Sequence, residues 1–198
     1  MNGWTRFGGI ASTLAAAALA LGCLGRSPAT HHYTLRPVGG GATAISELSI
    51  GLGPVTFPKY LERPSMVIRR GESEIRIDEL HRWAGGFEPN VIGALADDLG
   101  ARLGTDRVFL DPAASPFPVA FQVAVDFHQF EAHEGDAVVV LRARWVIRER
   151  SGEERAWTRE TTIRQDLPGD SIEDLVAAHD TALARLADVI AGQITSAR

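Results

Sequence analysis

Apolar residues recur at two spacings along this chain, and the switches between them mark its elements. Val119, Phe121, Val123, Val125 and Phe127 alternate with Ala120, Gln122, Ala124, Asp126 and His128. After a turn at Glu134-Gly135-Asp136, Val139, Leu141, Ala143, Trp145 and Ile147 alternate with Arg142, Arg144 and Arg148. A second turn at Ser151-Gly152-Glu153 leads into Trp157 to Ile163. A period of two with one polar side predicts an antiparallel meander covered on one face. Shorter strands are predicted at Tyr33-Thr34-Leu35, at Leu48 to Gly53 ending before Pro54, at Met66 to Arg69, at Glu74 to Ile77 and at Arg107 to Leu110.

The period changes to three and four in two places. Ile92, Leu95, Leu99 and Leu103 define a helix from about Glu88 to Leu103, with Pro89 in its first turn and Gly104 as its stop. Ile172, Leu175, Val176, His179, Ala182, Leu183, Leu186, Val189, Ile190 and Ile194 lie on one face of a longer helix, with Ser171 and Asp174 as a capping pair. The expected fold is a single α+β domain: a mainly antiparallel sheet with two long helices packed on one face.

The first 22 residues have a different character. One charge, Arg6, precedes an apolar run from Phe7 to Leu21, and small residues lead to Cys23. That is the layout of a secretory signal. About 15 apolar residues fall short of the roughly 20 that a spanning helix needs. Ala20-Leu21-Gly22-Cys23 looks like a bacterial lipobox, with leucine one place later than usual. Its cysteine would be lipidated and become the mature N-terminus; the other reading is an ordinary signal with an incidental thiol. Leu24 rather than aspartate follows, which by analogy with enteric bacteria directs a lipoprotein to the outer membrane. The expected organisation is a signal at 1–22, a lipidated tether at 23–31 and a folded domain at 32–198. Nine tether residues reach at most about 30 Å.

Composition narrows the class. The chain has 198 residues, 45% hydrophobic and 23% charged, which suits one globular domain. It carries 20 basic and 25 acidic residues, so removing Arg6 with the signal leaves 19 against 25, a net charge of -6. An acidic body is not drawn to nucleic acid or to an anionic bilayer by charge. One cysteine excludes an intramolecular disulfide and a cysteine zinc cluster.

Candidate chemistry is sparse. His128 and His133 lie near Glu131 and Glu134, but five residues apart on a regular strand places them on opposite faces. His179 falls in the apolar stripe of the last helix and reads as a packing residue. Asp97-Asp98 reads as a solvated helix face. There is no G-x-S-x-G, no phosphate-binding G-x-x-x-x-G-K-[ST] and no complete dinucleotide fingerprint after Gly51-x-Gly53, so neither a catalytic site, a metal nor a cofactor is expected. Two features could meet a partner. Arg142, Arg144, Arg148 and Arg150 line the polar side of one strand, either paired with Asp126 and Glu160 or open to an acidic partner. The proline-braced loop Phe57-Pro58-Lys59-Tyr60-Leu61, with Arg63 and Trp83, offers Tyr60, Leu61, Arg63 and Trp83 either as interface anchors or as caps on the core.

These stretches carry a resemblance. The lipobox, then Ile50 to Pro64 with its Pro58, Tyr60, Leu61, Arg63 and Pro64, then His81-Arg82-Trp83-Ala84, then Val140 to Trp145 and the closing helix occur in the order of the ABC-type transport auxiliary lipoprotein family, PqiC (YmbA) type. The similarity covers nearly the whole mature chain. It implies an outer-membrane-anchored periplasmic protein that works with MCE-domain (mammalian-cell-entry type) proteins as a non-enzymatic adaptor, docking a lipid-moving conduit at the outer membrane. It leaves a homo-oligomer open. The competing readings are a module that holds an acyl chain between helix and sheet, and a periplasmic hydrolase built around His128 or His81 with acidic neighbours.

Overall fold

A computed structural model describes residues 28–39, 46–111, 118–150 and 154–198. The signal, Cys23 and most of the tether lie outside the described residues. Eight strands form one sheet: β1 (His31–Tyr33), β2 (Ile50–Thr56), β3 (Ser65–Arg70), β4 (Glu74–Trp83), β5 (Val108–Phe109), β6 (Phe121–His133), β7 (Val138–Glu149) and β8 (Ala156–Asp166). Two helices accompany it, α1 (Phe87–Leu103) and α2 (Ile172–Ala197).

The long strand β6 organises the sheet. One of its edges pairs with β7 along its length, and β7 pairs with β8, all antiparallel. The other edge is shared: β2 runs parallel to its first half and β3 parallel to its end. From β3 the sheet continues through β4, antiparallel, to β1, parallel; from β2 it continues to β5, also parallel. The meander supplies the long antiparallel ladders that alternation predicted. The short parallel joints make the sheet mixed.

Local sequence explains most boundaries. Ser171 accepts the Asp174 N–H at 3.1 Å while the Asp174 carboxylate accepts the Ser171 N–H, a reciprocal cap at the start of α2. Gly104 ends α1 in the left-handed conformation that glycine adopts without steric cost. β2 departs from expectation, because it continues through Pro54 to Thr56 with its register on β6 shifting between Leu52 and Val55. Proline is tolerated there because β5 covers only Ile50 and Gly51, so the outer edge at Pro54 carries no ladder. Similarly, β4 extends to Trp83, carrying His81 and Arg82 into the sheet.

α2 packs across β6, β7 and β8, and α1 packs on α2 and β5. A single core cluster fills the space, with Trp145, Phe127, Phe130, Leu95, Leu99, Leu183 and Leu186 nearly inaccessible. Each such side chain contributes about 1.5–3 kcal/mol by leaving water. The Trp145 indole N–H donates to Thr161 Oγ1 at 2.9 Å, so the largest buried ring leaves no polar atom unpaired.

After β1 the chain crosses onto the helices as a strap. The Leu35 N–H donates to Asn90 Oδ1 (3.2 Å), the Arg36 N–H to Asp180 Oδ1 (2.9 Å) and the Val38 N–H to Asp98 Oδ1 (3.1 Å). Asp97 is exposed, but Asp98 is fully buried, so the solvated-face reading fails for it. Strap and Arg102 cover it: Arg102 Nη1 donates to Asp98 Oδ1 at 2.6 Å. Burial pushes the carboxyl pKa of Asp98 up, and that of Asp180 up to about 6.

Candidate functional site

The loop after β2 is braced at both ends. The Leu61 N–H donates to the Pro58 carbonyl at 2.9 Å, and Arg63 Nε donates to the Tyr60 carbonyl at 2.9 Å. Leu61 and Trp83 are buried in the core, at 3% and 4% exposure. Trp83 packs against Phe87 and His179, with ring centroids 5.3 and 5.5 Å apart. Tyr60 and Arg63 are half-buried, with Lys59 fully in solvent. Only part of the four-residue set therefore faces outward.

Tyr60 turns instead to the face of the sheet away from the helices. Its hydroxyl donates to Glu131 Oε2 at 2.9 Å. Glu131 is 1% exposed, and Arg69 Nε donates to its Oε1 at 2.7 Å. Gln129 Nε2 donates to the same oxygen at 3.0 Å, and the Phe130 N–H to Oε2 at 3.1 Å. A buried carboxylate needs such a ring of donors. Burial and the Glu131 charge push the Tyr60 hydroxyl up to about 12. Burial opposes the Arg69 charge, but Glu131 outweighs it and raises the guanidinium pKa.

The local cause of this arrangement is a bulge. The register of β6 on β7 steps from Phe127 opposite Ala143 to Gln129 opposite Arg142, leaving His128 unpaired. Before the bulge the odd-numbered residues face the core; after it Phe130 and Ala132 do. Gln129, Glu131 and His133 thereby join the outer face, and His128 and His133 come to line one cavity. The opposite-faces expectation for this histidine pair is overturned, because it assumed an unbroken strand. Gln129 Nε2 also lies 2.8 Å from His133 Nε2 and donates to it, and burial lowers the His133 pKa, which favours the neutral ring.

The cavity holds about 650 Å³ and is lined by Tyr60, Arg69, Gly71, Glu72, His128, Gln129, His133, Gly135, Asp136, Arg142 and Arg164. It therefore spans β3, β6, β7 and β8. Arg164 pairs with Asp136 at 2.7 Å, both exposed. Arg142 stands opposite Gln129 and Thr162, and its guanidinium has no ion pair or hydrogen bond among the described residues. Further along the same face Arg144 lies between Asp126 and Glu160 in register and meets Glu160 at 3.8 Å, the cross-strand pairing that the charge pattern suggested.

His128 and acidic groups do gather here, the arrangement named for a hydrolase. The order of contacts is unsuited to nucleophile activation. His128 Nε2 lies 3.1 Å from Asp126 Oδ2, and Thr56 Oγ1 donates to Asp126 Oδ1 at 2.6 Å. The carboxylate sits between hydroxyl and imidazole, whereas activation needs the imidazole in the middle. His81 pairs with Asp78 at 3.0 Å and stacks on His31. No serine, threonine or cysteine lines the cavity, and no group of three metal-ligating side chains assembles among the described residues.

Beneath α2 the space between helices and sheet is closed, whereas a hollow of about 350 Å³ opens between β2 and the start of α1, lined by Leu52, Pro54, Val55, Pro89, Ile92 and Leu110. The void bounded by Leu61, Trp83, Phe87, Phe130, Leu175 and His179 is about 10 Å³, at the threshold for one water, so no acyl chain fits there. His179 is fully buried, donates Nδ1–H to the Leu175 carbonyl at 2.8 Å and has its pKa driven down to about 4 by burial. Among the described residues no helix is long and apolar enough to cross a membrane.

Comparison with known proteins gives a family and a fold. A family model described as the ABC-type transport auxiliary lipoprotein component matches residues 33–191. A search of the curated proteins finds no match. Among solved structures, the chain resembles an uncharacterised protein at 17% identity and a TM-score of 0.70, over 84% of this chain and 99% of that one. It also resembles a Xanthomonas campestris protein of the DUF330 family model at 15% identity and a TM-score of 0.57, over 85% and 99%. At these identities the likeness is one of fold.

Proposed function

The chain belongs to the ABC-type transport auxiliary lipoprotein family, and on that premise we propose that it is a non-enzymatic adaptor held by lipid on Cys23 at the periplasmic face of the outer membrane, where it docks the conduit of an MCE-domain partner. Family membership itself makes it an auxiliary component of a transport system and a membrane-anchored lipoprotein. The observation that supports the rest is the extent of the match, from Tyr33 in β1 to Ala191 in the last turns of α2. The mis-ordered Thr56–Asp126–His128 contact is consistent with a body that couples rather than reacts. The docking surface is placed at the Tyr60–Arg63 turn, with buried Leu61 and Trp83 fixing it from below.

Two measurements test this reading. Metabolic labelling with a fatty acid marks the wild-type chain and not Cys23→Ser, which leaves the membrane fraction; an unlabelled wild-type chain refutes the anchor. In co-purification with an MCE subunit, Arg63→Ala loses partner while Arg142→Ala retains it; the reverse order refutes the docking surface.

A further inference from the structure

We propose that the outer-face cavity between the β3–β4 hairpin and the meander is a binding site for a phosphate-type oxyanion carried on a small molecule. The inference rests on this cavity alone and stands apart from the adaptor reading. About 650 Å³ is the size of a small-molecule site, and it is open rather than filled by side chains. A Cβ placed on Gly71 or Gly135 would meet nothing within 4 Å.

Three guanidiniums from three strands reach this space: Arg69 from β3, Arg142 from β7 and Arg164 from β8. Neighbouring strands lie about 4.8 Å apart, so β3 to β8 spans about 14 Å at the backbone, and the long arginine side chains cover part of that width over the cavity. Guanidinium is the side-chain group that meets phosphate with two parallel N–H donors.

The three are not equivalent, and the difference defines the site. Glu131, buried behind the wall, holds Arg69 through Nε at 2.7 Å, and the Glu72 carbonyl holds its Nη1 at 3.2 Å. That arginine is positioned before any ligand arrives. Arg164 is tied only to an exposed aspartate, a pair worth little in water. Arg142 has no counter-charge among the described residues, so it is the cation that an arriving anion neutralises. Gln129 links the two halves, since its amide contacts both Glu131 and His133 while its backbone stands opposite Arg142. The positive potential of the site comes from its three arginines. The Glu72 carboxylate, exposed at the rim, opposes the ligand.

The test is titration calorimetry on the purified full chain in a non-ionic detergent, with inorganic phosphate, glycerol 3-phosphate and dihexanoyl phosphatidic acid as probes. Saturable binding is expected for all three. Arg142→Gln weakens it at least tenfold, Gly135→Phe fills the cavity and abolishes it, and Glu72→Gln strengthens it. Gly135 has an ordinary backbone conformation and room for a Cβ, and an unchanged melting temperature checks that its variant is folded. Glycerol 3-phosphate and the short lipid binding alike identifies a soluble phosphate ester as the source. A tenfold preference for the lipid identifies a phospholipid headgroup. The proposal is overturned if no probe binds below about 10 mM, if Arg142→Gln and Gly135→Phe bind as the wild type does, or if Glu72→Gln weakens binding.

Discussion

The two faces of the sheet are made by the same strands and held by different physics. On the inner face, Phe127, Phe130, Trp145 and Leu141 are almost wholly buried, and the void beside Phe130 and His179 is only about 10 Å³. On the outer face, side chains one residue away on those strands, His128, Gln129 and Arg142, help to line a cavity of about 650 Å³, with Glu131 buried behind them. The inner face is secured by non-directional burial and tolerates no gap. The outer face depends on one buried carboxylate with a ring of donors, which fixes positions without filling space.

This contrast can be broken in four ways, in falling order of effect. Phe130→Ala opens the inner face and costs about 3–5 kcal/mol in denaturant unfolding; a loss under about 1 kcal/mol shows that the core relaxes around the hole. Glu131→Gln strands the Arg69 charge and costs about 2–3 kcal/mol, less than a fully buried pair because Arg69 retains 18% exposure. Leaving Tyr60 and Arg69 in place with unchanged stability removes Glu131 from its role as organiser.

Asp180→Asn tests the helix layer by pH. Its folded pKa of about 6 lies above the ordinary carboxyl value of 3.8, so the stability tied to the protonated form is complete below about pH 4 and fades as pH rises through 6. The asparagine keeps the oxygen that accepts the Arg36 N–H and lacks this slope. Above pH 6 the variant is expected to be more stable by about 1–2 kcal/mol, with the two melting curves converging near pH 4. Parallel pH profiles contradict the assignment. Arg144→Ala, at an exposed cross-strand pair, changes stability by less than about 0.5 kcal/mol. A large loss there gives the outer face a charge network beyond Glu131.

The inner face was the legible one. Period-two alternation marked the meander, the heptad-like stripe marked α2, and Ser171 with Asp174 marked its start. The outer site was hidden because it depends on non-local joints: β3 meets β6 in parallel only at Ile68–Ala132 and Arg69–His133, and no local pattern specifies that pairing. One signal was present. The apolar positions of β6 fall on odd numbers up to Phe127 and on even numbers from Phe130, with two polar residues, His128 and Gln129, in a row between them. Such a phase slip is the mark of a bulge, and it moves Glu131 and His133 to the face where they are found. Asp98 escaped for a related reason: its covering groups, Val38 and Arg102, include one sixty residues away.

The strap ahead of α1 has a mechanical consequence. Tension arriving along the chain at residue 28 runs in line with β1, whose rungs on β4 are then loaded side by side and not one after another. Behind them stand the clasps at Leu35, Arg36 and Val38, which pass the load to both helices. A pull directed along β1 is thus shared with both helices and does not peel away one edge alone.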